Sequence, residues 1–576
     1  MPIPMINITA DDKITNFETH FKVSAGPGAG KTRWLINHIK NVLNNSDRLG
    51  NNRKVACITY TNVAAETVLE RLGNNSDRVE VSTFHSFLYK NVIKPFLFLI
   101  PASYELDINR VDGHDEMPIY KGWLFEWKTA TGQTYISDDA KIIEAFKDLA
   151  WQFNNTGNLI LKTKKPYTGR IGNYSIKNDS YIEYKKMYWR KGILDHEDIL
   201  FFSHILISLN PRVLSVLRAK FPYVFIDEFQ DTNPIQTVIV KKIAEIETKV
   251  GVIGDIAQSI YQFQGADPSQ FRDFTLSEII HYSIADNHRC TNMITTLLNS
   301  IRTDITQNGK RNVEGNPITA LVGTKMWALA KAEELAIGDI HSLTRDNITS
   351  NIMRDRSNFI ATHRKLIEEL RETDSNPSRM HTIIACIKAT EYAKQHRYKD
   401  ALKEISKELK KLEGQRDDIQ KIALKILKNL LSKYGTYKNG TLLAYKSVID
   451  SIYPNTLSNF RAGAIKTFYE SNTYEQLAIC VNLKDDTSHH RTIHKAKGAE
   501  FENVLLILDK KNRAGTFDEK DDLGFLIAPD LQNNEEHRIR YVGVSRAREN
   551  LYINVPSLSA ASTTKLGTLG FNIVLE

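Results

Sequence analysis

The 576-residue sequence is poor in cysteine. Cys57, Cys290, Cys386 and Cys480 lie far apart, with no C-x-x-C pair and no histidine cluster beside them. That spacing argues against a disulfide framework and a structural zinc site, and for a reducing compartment. No apolar run approaches the ~18 residues needed to span a bilayer. Met1 to Thr9 lacks the basic start and long apolar block of a secretion signal. A cytoplasmic protein with no membrane partner is therefore expected. Internal repeats, low-complexity tracts and an N-K-x-D guanine-reading segment are also missing. So is a strong excess of either charge. The 76 Lys and Arg against 68 Asp and Glu leave a formal +8, which fits a polyanion partner but is modest for this length. With 25% charged and 41% hydrophobic residues the composition is that of an ordinary globular protein. The length is too great for one hydrophobic core, so several domains are expected.

What is present is a recurring unit. Short apolar runs at Val55–Thr59, Tyr223–Ile226, Val250–Ile253, Val504–Leu508 and Leu551–Val555 are each followed by a polar turn and a helical pattern. Buried strands alternating with helices indicate parallel α/β sheets, whose ligands gather at the strand carboxyl ends. Between about 95 and 195 the pattern turns irregular and carries Trp123, Trp127, Trp151 and Trp189, which reads as an inserted subdomain. A second insertion is expected over about 366–480. There Leu402, Ile405, Leu409 and Leu412, then Ile419, Ile422, Ile426 and Leu430, recur at helical spacing amid Lys and Glu. A plain amphipathic helix pair packing on its neighbours is the reading of that stretch.

The most informative segment is Val23 to Thr32, V-S-A-G-P-G-A-G-K-T. An apolar lead-in, a glycine-rich loop and a Lys-Thr pair precede a helical run through Trp34, Leu35 and Ile39. Gly26, Gly28 and Gly30 let the backbone turn its N–H groups around a polyphosphate. Lys31 adds a point charge at the outer phosphates, the Thr32 hydroxyl can ligate Mg²⁺, and the helix aims its positive end at the same anion. The usual pattern opens with glycine where this chain has Ala25. Farther on, Y-V-F-I-D-E-F-Q-D-T-N (Tyr223 to Asn233) delivers Asp227 and Glu228 to the end of an apolar strand. One acid can hold Mg²⁺ while the other orients and deprotonates a water. Together these segments predict a hydrolytic P-loop enzyme using ATP and Mg²⁺.

At this point the chain resembles the UvrD/Rep/PcrA type of superfamily 1 DNA helicase. Further segments follow in that family's order: Ile58 to Asn62 (I-T-Y-T-N), Ser82 to Phe87 (S-T-F-H-S-F), Gly192 to Asp195 with Asp198 to Leu200, Gly254 to Tyr261 with Phe263, and Asp286 to Arg289. Thr492 to Phe501 and Glu535–Glu536 through Tyr541 to Ala547 complete the set. The resemblance implies an α/β fold of two RecA-like P-loop motor domains, parallel sheets flanked by helices, each with a mainly helical inserted subdomain. The corresponding boundaries are 1–94 with 196–280 for the first motor, 95–195 for its insertion, 281–365 with 481–576 for the second motor, and 366–480 for its insertion.

Roles follow residue by residue. The nucleotide set implied is Ala25, Gly26, Gly28, Ala29, Gly30, Lys31, Thr32 and Arg33, with His288 at the base and Glu500 near the ribose. Thr32 and Asp227 form the metal pair, Glu228 acts on water, and Gln258 senses the γ-phosphate or the water. Arg289 and Arg546 are implied to come from the second motor and to meet charge spread over the γ-phosphoryl oxygens. On the DNA side Tyr60, Phe84, Tyr261 and Phe263 are placed against bases, because stacking tolerates any sequence. Thr59, Thr61, Asn62, His85 and His494 contact phosphates or fix those aromatics.

Four positions depart from the family. No glutamine occurs before Gln133, so adenine is either not selected or is read through other contacts such as backbone groups. His288 stands for a stacking tyrosine, Gln264 for an arginine after Phe263, and Ala499 for a leucine. The expected activity is a 3′-to-5′ ATP-dependent helicase or translocase on single-stranded and tailed duplex DNA. The rival reading is a DNA-sensing ATPase subunit that controls a partner nuclease, as in compact members of Gabija-type anti-phage systems. A small Lys/Glu-rich second insertion and a tail without a recognisable nuclease domain keep it open.

Overall fold

The apolar runs are strands buried on both faces. In a computed structural model, residues 5–113, 121–164, 175–356, 366–374, 376–413, 418–452, 457–459, 463–483, 488–508 and 517–576 are described. Seven parallel strands lie in the spatial order Met5–Asn7, Ile280–Ile284, Phe21–Ala25, Lys249–Gly254, Tyr223–Ile226, Val55–Thr59 and Val79–Thr83. Alternate residues of one strand enter different cores. Val55 and Cys57 pack with Trp34, Leu35 and Ile39, whereas Ala56 and Ile58 pack with Phe202, Leu206 and Ile239. This is why the strands read as continuous rather than alternating hydrophobic runs. Because every pairing is parallel, all seven carboxyl ends fall along one edge of the sheet.

The helix after the glycine loop, Lys31–Asn45, buries Trp34, Leu35, Ile36, His38, Ile39, Val42 and Leu43. His38 is the unusual member. Its ring stacks on Trp34 at 5.1 Å and 4° and meets Phe21 and Phe225 edge-on, and neither ring nitrogen has a hydrogen-bond partner. Burial pushes its pKa from 6.5 down to about 3. Below pH 6.5 the unfolded chain therefore takes up a proton that the folded chain refuses. His38 contributes fully above that pH, and its contribution is lost as pH falls toward 3. Melting curves between pH 7.5 and 5 should show wild type losing roughly 1 kcal/mol per pH unit more than His38→Phe below pH 6. Equal slopes for the two proteins would remove this account.

The second sheet has six parallel strands in the order His490–Thr492, Ile340–Thr344, Phe501–Ile507, Ala547–Val555, Thr319–Val322 and Asn572–Leu575. Leu321, Leu329, Leu505 and Tyr552 lie in its core. Residues 95–195 carry the helices Lys121–Ala130, Asp139–Lys147 and Ser180–Trp189 and an antiparallel hairpin, Leu149–Phe153 with Leu159–Thr163. Trp127, Phe146, Tyr184 and Tyr188 make a core there. Residues 366–480 are helical, and Tyr398–Glu413 and Ile419–Ser432 bury Ile405, Leu409, Ile419, Ile426 and Leu430 against Ile383 and Ile387. The amphipathic pair read from the sequence is thus a packed helix pair; the Leu412 side chain lies outside the described residues.

The chain forms two compact units. One holds Met1–Arg289, Arg302–Asn312 and Leu531–Arg538; the other holds Cys290–Ile301, Val313–Asp530 and Ile539–Glu576. This corrects the boundary drawn at 280/281. Ile280–Ile284 hydrogen-bonds to Phe21–Ala25 in the first sheet, and Asp286 to Arg289 follow it in the same unit. The segment Gly192 to Leu200 is a structural device. Asp195 and Asp198 form a reciprocal capping box at the start of helix His196–Leu209, and buried Lys185 pairs with both, at 2.6 and 3.0 Å. The cysteines form no disulfide. Among the described residues no single helix is long and apolar enough to cross a membrane.

Candidate nucleotide site and nucleic-acid interface

The strand Phe21–Ala25 delivers the glycine loop to the edge where the carboxyl ends gather. Gly28 and Gly30 have φ of 69° and 80°, the left-handed region that glycine enters without cost. The loop is also tightly covered. A Cβ on Gly28 would stand 2.7 Å from both the Arg289 Cβ and Asn287 Oδ1, and a Cβ on Gly26 would collide with the Gln307 side chain. Lys31 reaches back over the loop, its Nζ 3.2 Å from the Gly26 carbonyl. Ala25 and Ala29 are buried in the core beneath, and Thr32 is half-buried at the first turn of the helix. Arg33 points elsewhere: its exposed guanidinium pairs with Asp11 at 2.7 Å.

The next edge positions carry the acids. Asp227 is buried, its N–H donates to the Ile58 carbonyl at 2.8 Å, and its carboxylate accepts the Glu228 N–H at 3.0 Å. Glu228 has φ 53°, left-handed for a non-glycine residue. Its carboxylate accepts from the Gln230 amide, whose carbonyl oxygen takes the Asp255 N–H at 3.0 Å. Asp255 in turn accepts from the Gln258 amide at 2.6 Å and the Ala257 N–H at 3.1 Å. Burial alone would raise the Asp255 pKa, but the charges of Arg302 and Lys31 outweigh it and hold the carboxyl below its usual range. The donors at this edge are hard oxygens, the Thr32 hydroxyl and the Asp227 carboxylate. Among the described residues no group of three or more His, Cys, Asp or Glu could hold a metal. Hard oxygens of this kind are the donor type that Mg²⁺ takes.

A short ribbon, Asp286–Asn287 paired with Asn308–Gly309, lies on the glycine loop. The His288 N–H donates to the Gly28 carbonyl at 2.9 Å, and the Gln307 amide donates to the Pro27 carbonyl at 2.8 Å. The Arg289 N–H is held by Asn287 Oδ1 at 2.9 Å. Here the structure corrects the sequence reading: Arg289 belongs to the unit that carries the glycine loop. Parallel pairing of Ile280–Ile284 in the first sheet brings it there. The exposed imidazole of His288 is 3.9 Å from Asp286. Within the Asp286 to Arg289 segment Asn287 was given no role of its own, and Gln307 went unremarked, since nothing in their local pattern shows that they meet beside a loop far upstream.

Aromatic residues form a second cluster in this unit. Tyr60 and Tyr261 stack at 4.8 Å and 17°, and Phe263, 51% exposed, lies 6.1 Å from Tyr261. Gln264, the residue in place of an arginine, accepts the Tyr60 hydroxyl at 2.7 Å and so fixes that ring. Thr59 is buried and donates to the Thr61 carbonyl, Thr61 caps helix Asn62–Leu72, and Asn62 is exposed at its first position. Phe84 does not join the cluster. It is 7% exposed and packs in the core with Phe87 and Leu88, a correction to its reading as a base contact. The adjacent His85 lies 5.1 Å from the ring of His196.

The remaining residues are in the other unit. His494 follows strand His490–Thr492, and Glu500 is exposed just before Phe501–Ile507. Arg546 is 1% exposed; it donates to the carbonyls of Val542 (3.0 Å) and Ala499 (3.2 Å) and to the Ser545 hydroxyl (2.8 Å).

Comparison with known proteins agrees with this architecture. Residues 6–277 match the UvrD/REP helicase N-terminal domain. The chain is 25% identical over 376 residues to the ATP-dependent DNA helicase PcrA of Bacillus subtilis (strain 168), a match covering 61% of this chain and 48% of PcrA, about half its length. It is 24% identical over 657 aligned positions to the Gabija protein GajB of Bacillus cereus (strain HuB5-5), with 92% of each chain covered. It is 23% identical over 603 positions to DNA helicase II of Rickettsia typhi (strain ATCC VR-144 / Wilmington), covering 92% of this chain and 88% of that one. With its parallel sheets, its glycine loop, its acidic strand end and the match over residues 6–277, the chain is similar to the UvrD-like helicases.

Proposed function

We propose that this protein hydrolyses ATP in response to single-stranded DNA and uses the energy to translocate 3′ to 5′ along it, opening tailed duplexes. The observation that carries the reading is the shared edge of the first sheet, where the glycine loop, Asp227–Glu228 and the Asp255–Gln258 turn all follow carboxyl ends. The loop's N–H groups and Lys31 would bind the phosphates. Thr32 and Asp227 would hold Mg²⁺, which would supply positive charge to offset that of the phosphates. Glu228 takes a proton from the attacking water, Gln258 senses that water or the γ-phosphate, and Arg289 and Arg546 stabilise the transition-state charge. His288, on the segment beside the loop, would meet the nucleotide base, and Glu500 would serve the ribose. The Tyr60–Tyr261 pair and Phe263 supply base-stacking surfaces, with Thr61, Asn62, His85 and His494 on the backbone.

ATPase rates with no nucleic acid, single-stranded DNA, duplex DNA and RNA, followed by unwinding of 3′- and 5′-tailed duplexes, test this directly. Stimulation by single-stranded DNA and opening of 3′-tailed substrates are expected. In the same assay Tyr261→Ala should weaken single-strand binding by about 1–3 kcal/mol while basal ATPase is kept. Unchanged affinity would move the DNA path away from the stacked pair.

A second reading is favoured by one observation, the match to GajB over 92% of both chains. In it the chain is the DNA-sensing ATPase of a bacterial anti-phage system, controls a partner nuclease and unwinds little by itself. ATP-dependent activity that appears only with a co-encoded nuclease would select it.

A further inference from the structure

Arg302 belongs to none of the segments that carry the family resemblance, yet its side chain is completely buried. Burying a guanidinium is costly unless its donors are matched. Arg302 grips Asp304 with two bonds, Nε to Oδ1 at 2.9 Å and Nη2 to Oδ2 at 2.8 Å. It also reaches Asp255, at 3.2 Å from Nη2 and 3.5 Å from Nη1. Asp304 is 39% exposed, but the Asp255 contact is wholly interior, with both side chains at 0%.

A buried pair that served only to fill space could be replaced by apolar residues of the same volume. Asp255, however, is the hub of a polar chain. Its carboxylate holds the Gln258 amide, and its backbone N–H is held by Gln230, which binds the Glu228 carboxylate. An apolar pair would fill the volume but would release the Gln258 side chain. Ser259, one residue past Gln258, is tied as well: its hydroxyl donates to the Gln230 carbonyl, and its own carbonyl accepts from buried Arg538 at 2.7 Å. Arg302 is also the first residue after helix Asn292–Ile301, where the chain returns to the unit holding the glycine loop.

We propose that Arg302 is a positioning residue for ATP hydrolysis: by fixing the Asp255 carboxylate it sets the orientation of Gln258. The inference rests on the ATPase reading above. Its test uses the full chain in three measurements: DNA-stimulated turnover, affinity for a fluorescent ATP analogue, and melting temperature. Arg302→Met should lower kcat ~30-fold or more with nucleotide Kd within ~3-fold, and Arg302→Lys, which keeps the charge but not the fork, should recover part of the loss. Since Met leaves Asp255 unpaired and can prevent folding, the double variant Arg302→Met/Asp255→Asn removes both charges and should melt near wild type yet turn over slowly. A folded single or double variant with wild-type kcat overturns the proposal. So does a fall in nucleotide affinity and melting temperature large enough to account for all the lost turnover. An inert wild-type protein would instead refute the ATPase reading, and this is known before any variant is made.

Discussion

Glu228→Gln is expected to cut DNA-stimulated ATP turnover by ~10²–10⁴ while leaving nucleotide affinity near that of wild type, the loss typical of a general base. The substitution keeps the volume and can still accept the Gln230 amide through its remaining carbonyl oxygen. It removes the one thing the mechanism asks of this position, a carboxylate able to take a proton. Neighbouring Asp227, buried and anchored to Ile58 through its backbone, is untouched. Lys31→Ala should abolish turnover too, but by a different route, because it deletes a phosphate contact and should weaken nucleotide binding as well. Single-turnover hydrolysis together with binding of an ATP analogue separates the two. Full activity in Glu228→Gln would end the assignment of this edge as the catalytic one.

The second large effect is at Arg546. Removing an arginine that stabilises a phosphoryl-transfer transition state costs ~10³–10⁵ in rate. Here the side chain is also structural, bonded to the Val542 and Ala499 carbonyls and to Ser545. Truncation to alanine leaves those buried acceptors unmatched, at about 1–3 kcal/mol each. Arg546→Lys is therefore the cleaner variant, since it retains a charge and one donor but cannot fork. Both variants should bind nucleotide within ~3-fold of wild type, and both should lose single-turnover rate by ~10³ or more. If the loss instead follows the fall in melting temperature from variant to variant, Arg546 supports its unit and has no part in the chemistry.

What could be read before folding was what local pattern encodes. Val55–Thr59 and Tyr223–Ile226 were legible because strands covered on both sides leave unbroken apolar runs, and Lys31 and Glu228 because they sit one residue or two from a strand or loop signal. The partner of a strand is not local. Ile280–Ile284 could have opened the second sheet, and only its pairing with Phe21–Ala25 puts Arg289 over the glycine loop. Phe84 shows the same limit from another side, since an aromatic ring beside a threonine suits a base or a core equally well. Arg302 carried no signal at all: its meaning comes from Asp255, 47 positions away.

The left-handed backbone at Glu228 bears on how variants there should be interpreted. β-Branched residues resist that conformation, while glycine and asparagine accept it readily. A saturation library at 228 would therefore mix two signals, lost chemistry and a distorted peptide, and valine or isoleucine would score as dead for the wrong reason. Asparagine, which suits the bend but carries no acid, is the benchmark against which every other substitution at this codon should be scored.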